Sequence, residues 1–375
     1  MPTIFTRGAA SARGFGLFGG AAGGGGGLWS WGLGTSGRLG LGNLTSYSSP
    51  KQVGALITWA MVSAKDALSL SIKTDGTMWS WGLNDKGQLG LGDITNRSSP
   101  VQIGALTTWS KVSSGGGFSF AIKTDGTMWS WGYNAFGNLG LGNTTNYSSP
   151  KQVGALTTWS KISAAGGYFG FAIKTDGTMW SWGRGFSGNL GLGNTTNYNS
   201  PKQVGALTTW ATLGYGSKHQ SAIKTDGTLW AWGLNSYGQL GLGNATNYSS
   251  PKQIGALTTW SKAAAGLYSS LALKTDGTLW SWGRNNYGQL GLGNATNYSS
   301  PKQIGALTTW SKISSSGYSV QVIKTDGTMW SWGKNSSGQL GLGDALNRSS
   351  PVQVGALTTW SMPSSGGDFS LAIKT

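Results

Sequence analysis

The sequence predicts an all-β fold, a seven-bladed β-propeller closed by an N-terminal strand pairing with the C-terminal strands, and three observations carry that expectation. The dipeptide WG recurs at Trp31, Trp81, Trp131, Trp182, Trp232, Trp282 and Trp332, spaced by 50 residues with a single 51. Each unit consists of short runs rich in β-branched and aromatic residues, separated by glycine, with no helical periodicity. The stretch KTDGTMWSWG, as at Lys123 to Gly132, is divided once: LWSWG (Leu28 to Gly32) stands near the start and AIKT (Ala372 to Thr375) at the end. Two halves at opposite ends make one blade only if the ring closes through them, which hides the last pair of open sheet edges.

Within a unit, WSKVSS (Trp109 to Ser114), FSFAIKT (Phe118 to Thr124) and TMWSW (Thr127 to Trp131) read as strands. The AspGly pair between the last two favours a type I′ hairpin turn, with positive φ at both central residues. A fourth strand is expected at PKQVG with the proline at its start, where a missing donor is tolerated. The 21 tryptophans fall strictly in register, two per WSWG-type motif and one per TTW. A blade buries its apolar face only against its neighbours, so these side chains read as inter-blade packing at about 1.5–3 kcal/mol each.

Residues 1–27 stand apart from the propeller at 28–375. Arg7 and Arg13 are the only charges there and Phe5, Phe15 and Phe18 the only aromatics, ahead of the run GGAAGGGGG at Gly19 to Gly27. Such a run is a flexible tether spanning about 17 Å. Pro2 to Phe18 then reads as an anchor peptide docking on a larger assembly, with a frayed terminus as the plainer alternative.

Composition narrows the function. The 375 residues include 27 Lys plus Arg against 11 Asp and no Glu, a net charge of +16 that raises the prospect of polyanionic partners. With no cysteine and His219 as the only histidine, thiolate chemistry and histidine metal clusters are excluded, and neither a metal nor a cofactor is expected. No apolar run is long enough to span a membrane, and the N-terminus lacks the apolar core of a secretory signal. Six aspartates (Asp75, Asp125, Asp176, Asp226, Asp276, Asp326) are turn residues by position. Asp66, Asp85, Asp93, Asp344 and Asp368 remain, and they support glycoside hydrolysis only if separate blades bring two together. GQLGLG leads into no helix and is not a phosphate loop. The expectation is a non-enzymatic protein.

The pattern WGxNxxGQLGLG followed by AIKTDGTMWSWG, at Trp81 to Gly92 and Ala121 to Gly132, resembles the repeat of the regulator of chromosome condensation family over all seven units. That resemblance implies a seven-bladed propeller closed by shared termini. It also implies, for a cellular member, nucleotide exchange on the small GTPase Ran or chromatin binding. The exchange activity depends on an inserted β-wedge, for which a period varying by one residue leaves no room. The family's histidine after the glycine turn survives only as His219; Leu68, Phe118, Phe169, Ser269, Ser319 and Phe369 replace it. The segment TRGAASARGFGLFGG is similar to N-terminal segments of phage virion and tail-associated proteins. The leading expectation is therefore a structural or binding module of a phage particle, localised to the virion. It would be held by residues 1–18 to other virion proteins and display a propeller for decoration or for attachment to a host glycan or protein. The alternative is a cellular regulator of the nucleotide-exchange or chromatin-binding kind.

Sequence varies most in the loop after WG. There Phe136, Phe186, Tyr237 and Tyr287, beside Arg184 and Arg284, form the candidate binding cluster on consecutive blades, a platform for sugar stacking or a protein interface. Three periodic lysine sets, beginning at Lys73, Lys51 and Lys111, spread positive charge around the disc, so nucleic acid is a partner to test but not the favoured one. The NxT sequons at Asn43, Asn143, Asn194, Asn244 and Asn294 read as turn residues.

Overall fold

The computed structural model describes residues 25–166, 168–214 and 216–375. The predicted anchor residues Phe5, Arg7, Arg13, Phe15 and Phe18 lie outside the described residues. Seven antiparallel four-stranded sheets are arranged as blades. Blade 1 comprises Trp59–Lys65, Leu68–Lys73, Met78–Gly82 and Arg97–Gln102, from the innermost strand outward. Blades 2 to 6 repeat this order, beginning at Trp109, Trp159, Trp210, Trp260 and Trp310. Blade 7 takes Trp360–Ser365 and Phe369–Lys374 from the end of the chain and Gly27–Gly32 and Tyr47–Gln52 from its start. Leu28 pairs with Ile373 and Ser30 with Leu371, so the divided repeat closes the ring as its sequence implied. Gly26 already bridges to Trp59. A Cβ at Gly26 would lie 2.3 Å from the Lys374 carbonyl, so the end of the glycine run belongs to the sheet.

Two local expectations are corrected. Each hairpin turn is a three-residue loop, such as Thr124-Asp125-Gly126, with Gly126 N–H bonded to the Lys123 carbonyl at 3.0 Å and positive φ only at the glycine. Asp125 keeps an ordinary φ because its carboxylate accepts both the N–H and the hydroxyl of Thr127. The fourth strand starts at the tyrosine or arginine three residues before the proline, as in Tyr147–Gln152. The proline is tolerated mid-strand because this is the outer, edge strand of the blade.

The tryptophans hold the ring together. The second Trp of every WSW is buried and donates its indole N–H to a backbone carbonyl of the preceding blade, as Trp282 does to Gln239 at 2.9 Å and Trp31 to Gln339 at 2.9 Å. A glycine of each GLG run makes room for that ring: Gly241 has φ +74°, and a Cβ there would sit 2.7 Å from Trp282 Nε1. The TTW tryptophan meets both members of the WSW pair edge to face, with Trp260 6.2 Å from Trp280 and 6.4 Å from Trp282. Inner strands adjoin around the axis and their open edges are satisfied by side chains from the neighbouring blade. Ser63 Oγ accepts the Ser114 N–H, Ser113 Oγ that of Ala164, and Ser364 Oγ that of Ala64, at 2.9–3.0 Å.

Candidate functional site

The loops after WG and the turns between first and second strands share one face, here called upper. The DG turns and GALTT loops share the lower face. A backbone bond fixes what the upper face presents: the first residue after WG donates its N–H to the residue just before the second strand. Arg184 does so to Tyr168 at 3.0 Å, Arg284 to Tyr268 at 2.9 Å and Lys334 to Tyr318 at 3.0 Å. Two variable positions per blade are thereby placed side by side.

Over blades 2 to 6 these positions hold aromatic rings and arginines in two groups. In the first, Tyr168 packs 5.2 Å from Tyr133 and 5.6 Å from Phe136, and the Arg184 guanidinium lies 4.9 Å from the Phe136 ring and 5.3 Å from Phe186. In the second, Arg284 lies 4.9 Å from Tyr237, 5.7 Å from Tyr268 and 5.4 Å from Tyr318, and Tyr287 packs 5.0 Å from Tyr318. Arg284 also donates to the Tyr318 hydroxyl at 3.2 Å, while its Nε is buried without a partner. Burial pushes the Tyr318 hydroxyl above its ordinary value, and Arg284 offsets part of that. Neither arginine forms an ion pair among the described residues.

All six predicted cluster residues therefore stand on the upper face, but as two groups instead of one run. Tyr133, Tyr168, Tyr268 and Tyr318 complete them and were not singled out from the sequence. For Tyr168, Tyr268 and Tyr318 the signal was the second variable position, immediately before the second strand, which pairs with the loop through the backbone bond above, whereas Tyr133 is itself the first residue of the loop after WG. Phe186 is the most open, 52 % exposed. In most blades a buried Asn pins the loop, as Asn285 does by accepting the Leu290 N–H and donating to Asn294. Blades 3 and 7 carry Gly185 and Gly34 instead, and there the loop winds into a short 3-10 turn at Phe186–Gly188 and Thr35–Gly37.

Blades 7 and 1 complete the upper face with charge. Arg38 bonds the Asp66 carbonyl at 2.9 Å and senses the carboxylates of both Asp66 and Asp368. Although its outer edge is open to solvent, Asp66 is crowded by surrounding blades, and that desolvation raises its carboxyl above the usual range against the pull of Lys65 and Arg38. Asp368 is paired with Lys334 at 3.2 Å. The ring thus does bring two carboxylates from separate blades within electrostatic range of each other, but Asp368 is ion-paired with Lys334, and the Asp66 carboxylate lies in the field of Lys65 and Arg38 without an ion pair of its own among the described residues. Asp93 and Asp344 pair with Arg97 and Arg348 in the same loops, and Asp85 with Lys86. No group of three or more metal-ligating side chains occurs among the described residues, and none of the helices there is long and apolar enough to cross a membrane.

The lysine sets divide. The set at Lys73 stacks on tryptophan, with Lys274 Nζ 4.0 Å from the Trp280 ring, and the set at Lys51 lies over tyrosine, with Lys252 5.5 Å from Tyr248. The set at Lys111 is not spread over the rim; it stands on the innermost strands.

The regulator of chromosome condensation (RCC1) repeat model matches residues 25–70, 75–122, 125–173, 176–223, 226–273, 276–323 and 326–373. The chain belongs to the RCC1 repeat family. Among curated proteins no sequence matches it. Solved RCC1-like propellers share its fold at low identity. Prp20p of Saccharomyces cerevisiae, studied for binding to Gsp1p and histones, is 21% identical over 94% of this chain and 92% of its own, with a TM-score of 0.84. Yeast RCC1 (Prp20) bound to Kap60 is 20% identical, covering 100% and 96%, with a TM-score of 0.86. Human WBSCR16 is 20% identical, covering 93% and 99%, with a TM-score of 0.83. Nothing in these comparisons points to a phage source for this RCC1-repeat protein.

Proposed function

We propose that this RCC1-repeat propeller is a non-enzymatic binding module whose upper face, over blades 2 to 6, receives a protein partner bearing carboxylates. The observation that carries this is the pair of arginine-centred aromatic groups. Tyr and Arg are the side chains that dominate interface energetics, and here they are already held in place by one another. A guanidinium stacked on rings leaves in-plane N–H groups for a carboxylate, and neither Arg184 nor Arg284 meets one within the described chain, although one Arg284 N–H is already given to Tyr318. A glycan would use the same rings but has less need of two unpaired arginines. The proteins named with the yeast neighbours, a Gsp1p-type GTPase and histones, are the first candidates to test.

Binding of these proteins, and of a glycan panel, is to be compared between wild type and Arg184→Ala/Arg284→Ala. Ligands whose affinity falls at least tenfold in the variant, with Lys151→Ala unaffected, are those the reading predicts. A ligand bound equally by all three proteins contradicts it. Attachment to a particle through Pro2 to Phe18 is part of the proposal that rests on sequence alone. Deleting residues 1–18 should abolish co-sedimentation with virions, and co-sedimentation that persists removes the anchor.

A further inference from the structure

Four lysines of the propeller stand on its innermost strands, where the sequence predicted only charge spread around the disc. Lys111, Lys161, Lys262 and Lys312 lie on the innermost strands of blades 2, 3, 5 and 6, two residues after the buried TTW tryptophan. They share one register, opposite Ile122, Ile173, Leu273 and Ile323. Each ammonium reaches the inner strand of the next blade and donates to a backbone carbonyl there: Lys111 to Ser160, Lys161 to Ala211, Lys262 to Ser311 at 2.5 Å, and Lys312 to Ser361. A neutral carbonyl takes one of three donors and none of the charge. None of the four forms an ion pair among the described residues. The remaining positions of this register are Met61, Thr212 and Met362, so it contains no acid, and the Thr212 hydroxyl is buried without a partner. Burial holds all four ammonium groups below their ordinary value, and Lys161 and Lys262 are lowered further by Lys111 and Lys312. At the other end of the axis the buried Lys65 spans to Ser217 of blade 4 at 2.8 Å and Ser316 at 3.0 Å, closing the upper mouth with a fifth cation.

We propose that the lower end of the ring axis, where the innermost strands present these ammonium groups, is a binding site for a multiply charged phosphate anion. Like charges crowded on the innermost strands without counter-ions are unfavourable, most directly within the neighbouring pairs Lys111/Lys161 and Lys262/Lys312, and an anion bearing several charges answers more than one of them. Lysine presents compact point charges with rotatable donors, which suits phosphate oxygens approaching from different blades better than a single planar carboxylate. Entry is from the lower face, opposite the arc assigned to protein binding, so the two readings stand or fall separately.

The test is calorimetric titration with sodium tripolyphosphate and with inositol hexakisphosphate at low and physiological salt. The wild type is compared with Lys111→Met/Lys161→Met/Lys262→Met/Lys312→Met. Methionine already occupies this register in blades 1 and 7, so the variant is built to fold, which circular dichroism and thermal melting verify. Lys51→Met/Lys151→Met/Lys202→Met/Lys252→Met removes an equal charge from the outer strands. The expected result is one site per chain, at least tenfold weaker in the inner-strand variant and within about twofold of wild type in the outer-strand variant. A response to tripolyphosphate assigns free polyphosphate, and one confined to inositol hexakisphosphate assigns a phosphate ester. Absence of binding to the wild type at low salt, equal binding by the inner-strand variant, or an equal loss in both variants overturns the proposal.

Discussion

Replacing His219 by phenylalanine should remove a specific part of the protein's acid sensitivity. His219 is fully buried, with Nε2 2.7 Å from Ser270 Oγ, and Ser270 donates its own proton to the Gln239 carbonyl at 2.7 Å. The serine oxygen must therefore accept from Nε2–H, which leaves Nδ1 bare, and Nδ1 has no partner. Protonation would bury a second N–H with nothing to receive it, and burial accordingly depresses the imidazole pKa to about 3. Its unfolded value is about 6.5, so the unfolded chain takes up a proton as pH falls below 6.5 and the native state does not. Stability is therefore complete above pH 6.5 and declines on acidification toward the folded pKa. At pH 5 the difference of about 1.5 units corresponds to roughly 2 kcal/mol. Ordinary carboxylates titrate below this window and the raised Asp66 is common to both proteins, so the difference between them isolates the histidine. Phenylalanine occupies the position in blades 2, 3 and 7 as Phe118, Phe169 and Phe369, so the variant can pack. Urea unfolding at pH 7.5 and pH 5.0 should show the wild type losing about 2 kcal/mol more than His219→Phe. Equal losses in the two proteins would refute the neutral, single-tautomer assignment.

Truncation after Asp368 should open the ring. It removes Phe369, Leu371 and Ile373 from the closing blade, at roughly 1.5–3 kcal/mol each, and differential scanning calorimetry should show the whole transition lowered and broadened. Gly241→Ala should destabilise more than Gly255→Ala. Both glycines have positive φ, at about 1–2 kcal/mol for a side chain, but only at Gly241 does the new methyl meet an indole, and chemical denaturation of the pair isolates that contact. Lys274→Met should lose the stacking on Trp280 and Trp260, about 0.5–1 kcal/mol by denaturant midpoint.

The fold was legible because repetition and period carry it: a tryptophan recurring every 50 residues has to pack the same way in every blade, and the divided repeat had only one way to be completed. Details that depend on one atom were not legible. The Asp125 carboxylate holds its turn in a form that the AspGly pair alone does not specify, and the outer strand tolerates Pro150 mid-length because nothing pairs on its far side. Six of the ten residues of the two upper-face groups could be read from loop variability, which exposes residues free of packing duty. Tyr168, Tyr268 and Tyr318 could not, because their neighbours on the face come from the far end of a hairpin through the bonds at Arg184, Arg284 and Lys334. The lysines at 111, 161, 262 and 312 looked like a solvated rim because alternation does not say which strand of a blade is innermost.

The central claim is that a partner covers the arc over blades 2 to 6, and hydroxyl-radical footprinting of the complex tests it most directly. Tyr133, Tyr168, Tyr237, Tyr268, Tyr287 and Tyr318 should be protected when partner is bound, while Tyr47, Tyr147, Tyr198, Tyr248 and Tyr298 on the outer strands keep their free reactivity. Protection confined to the outer-strand tyrosines, with the arc as reactive as in the free protein, would contradict the account.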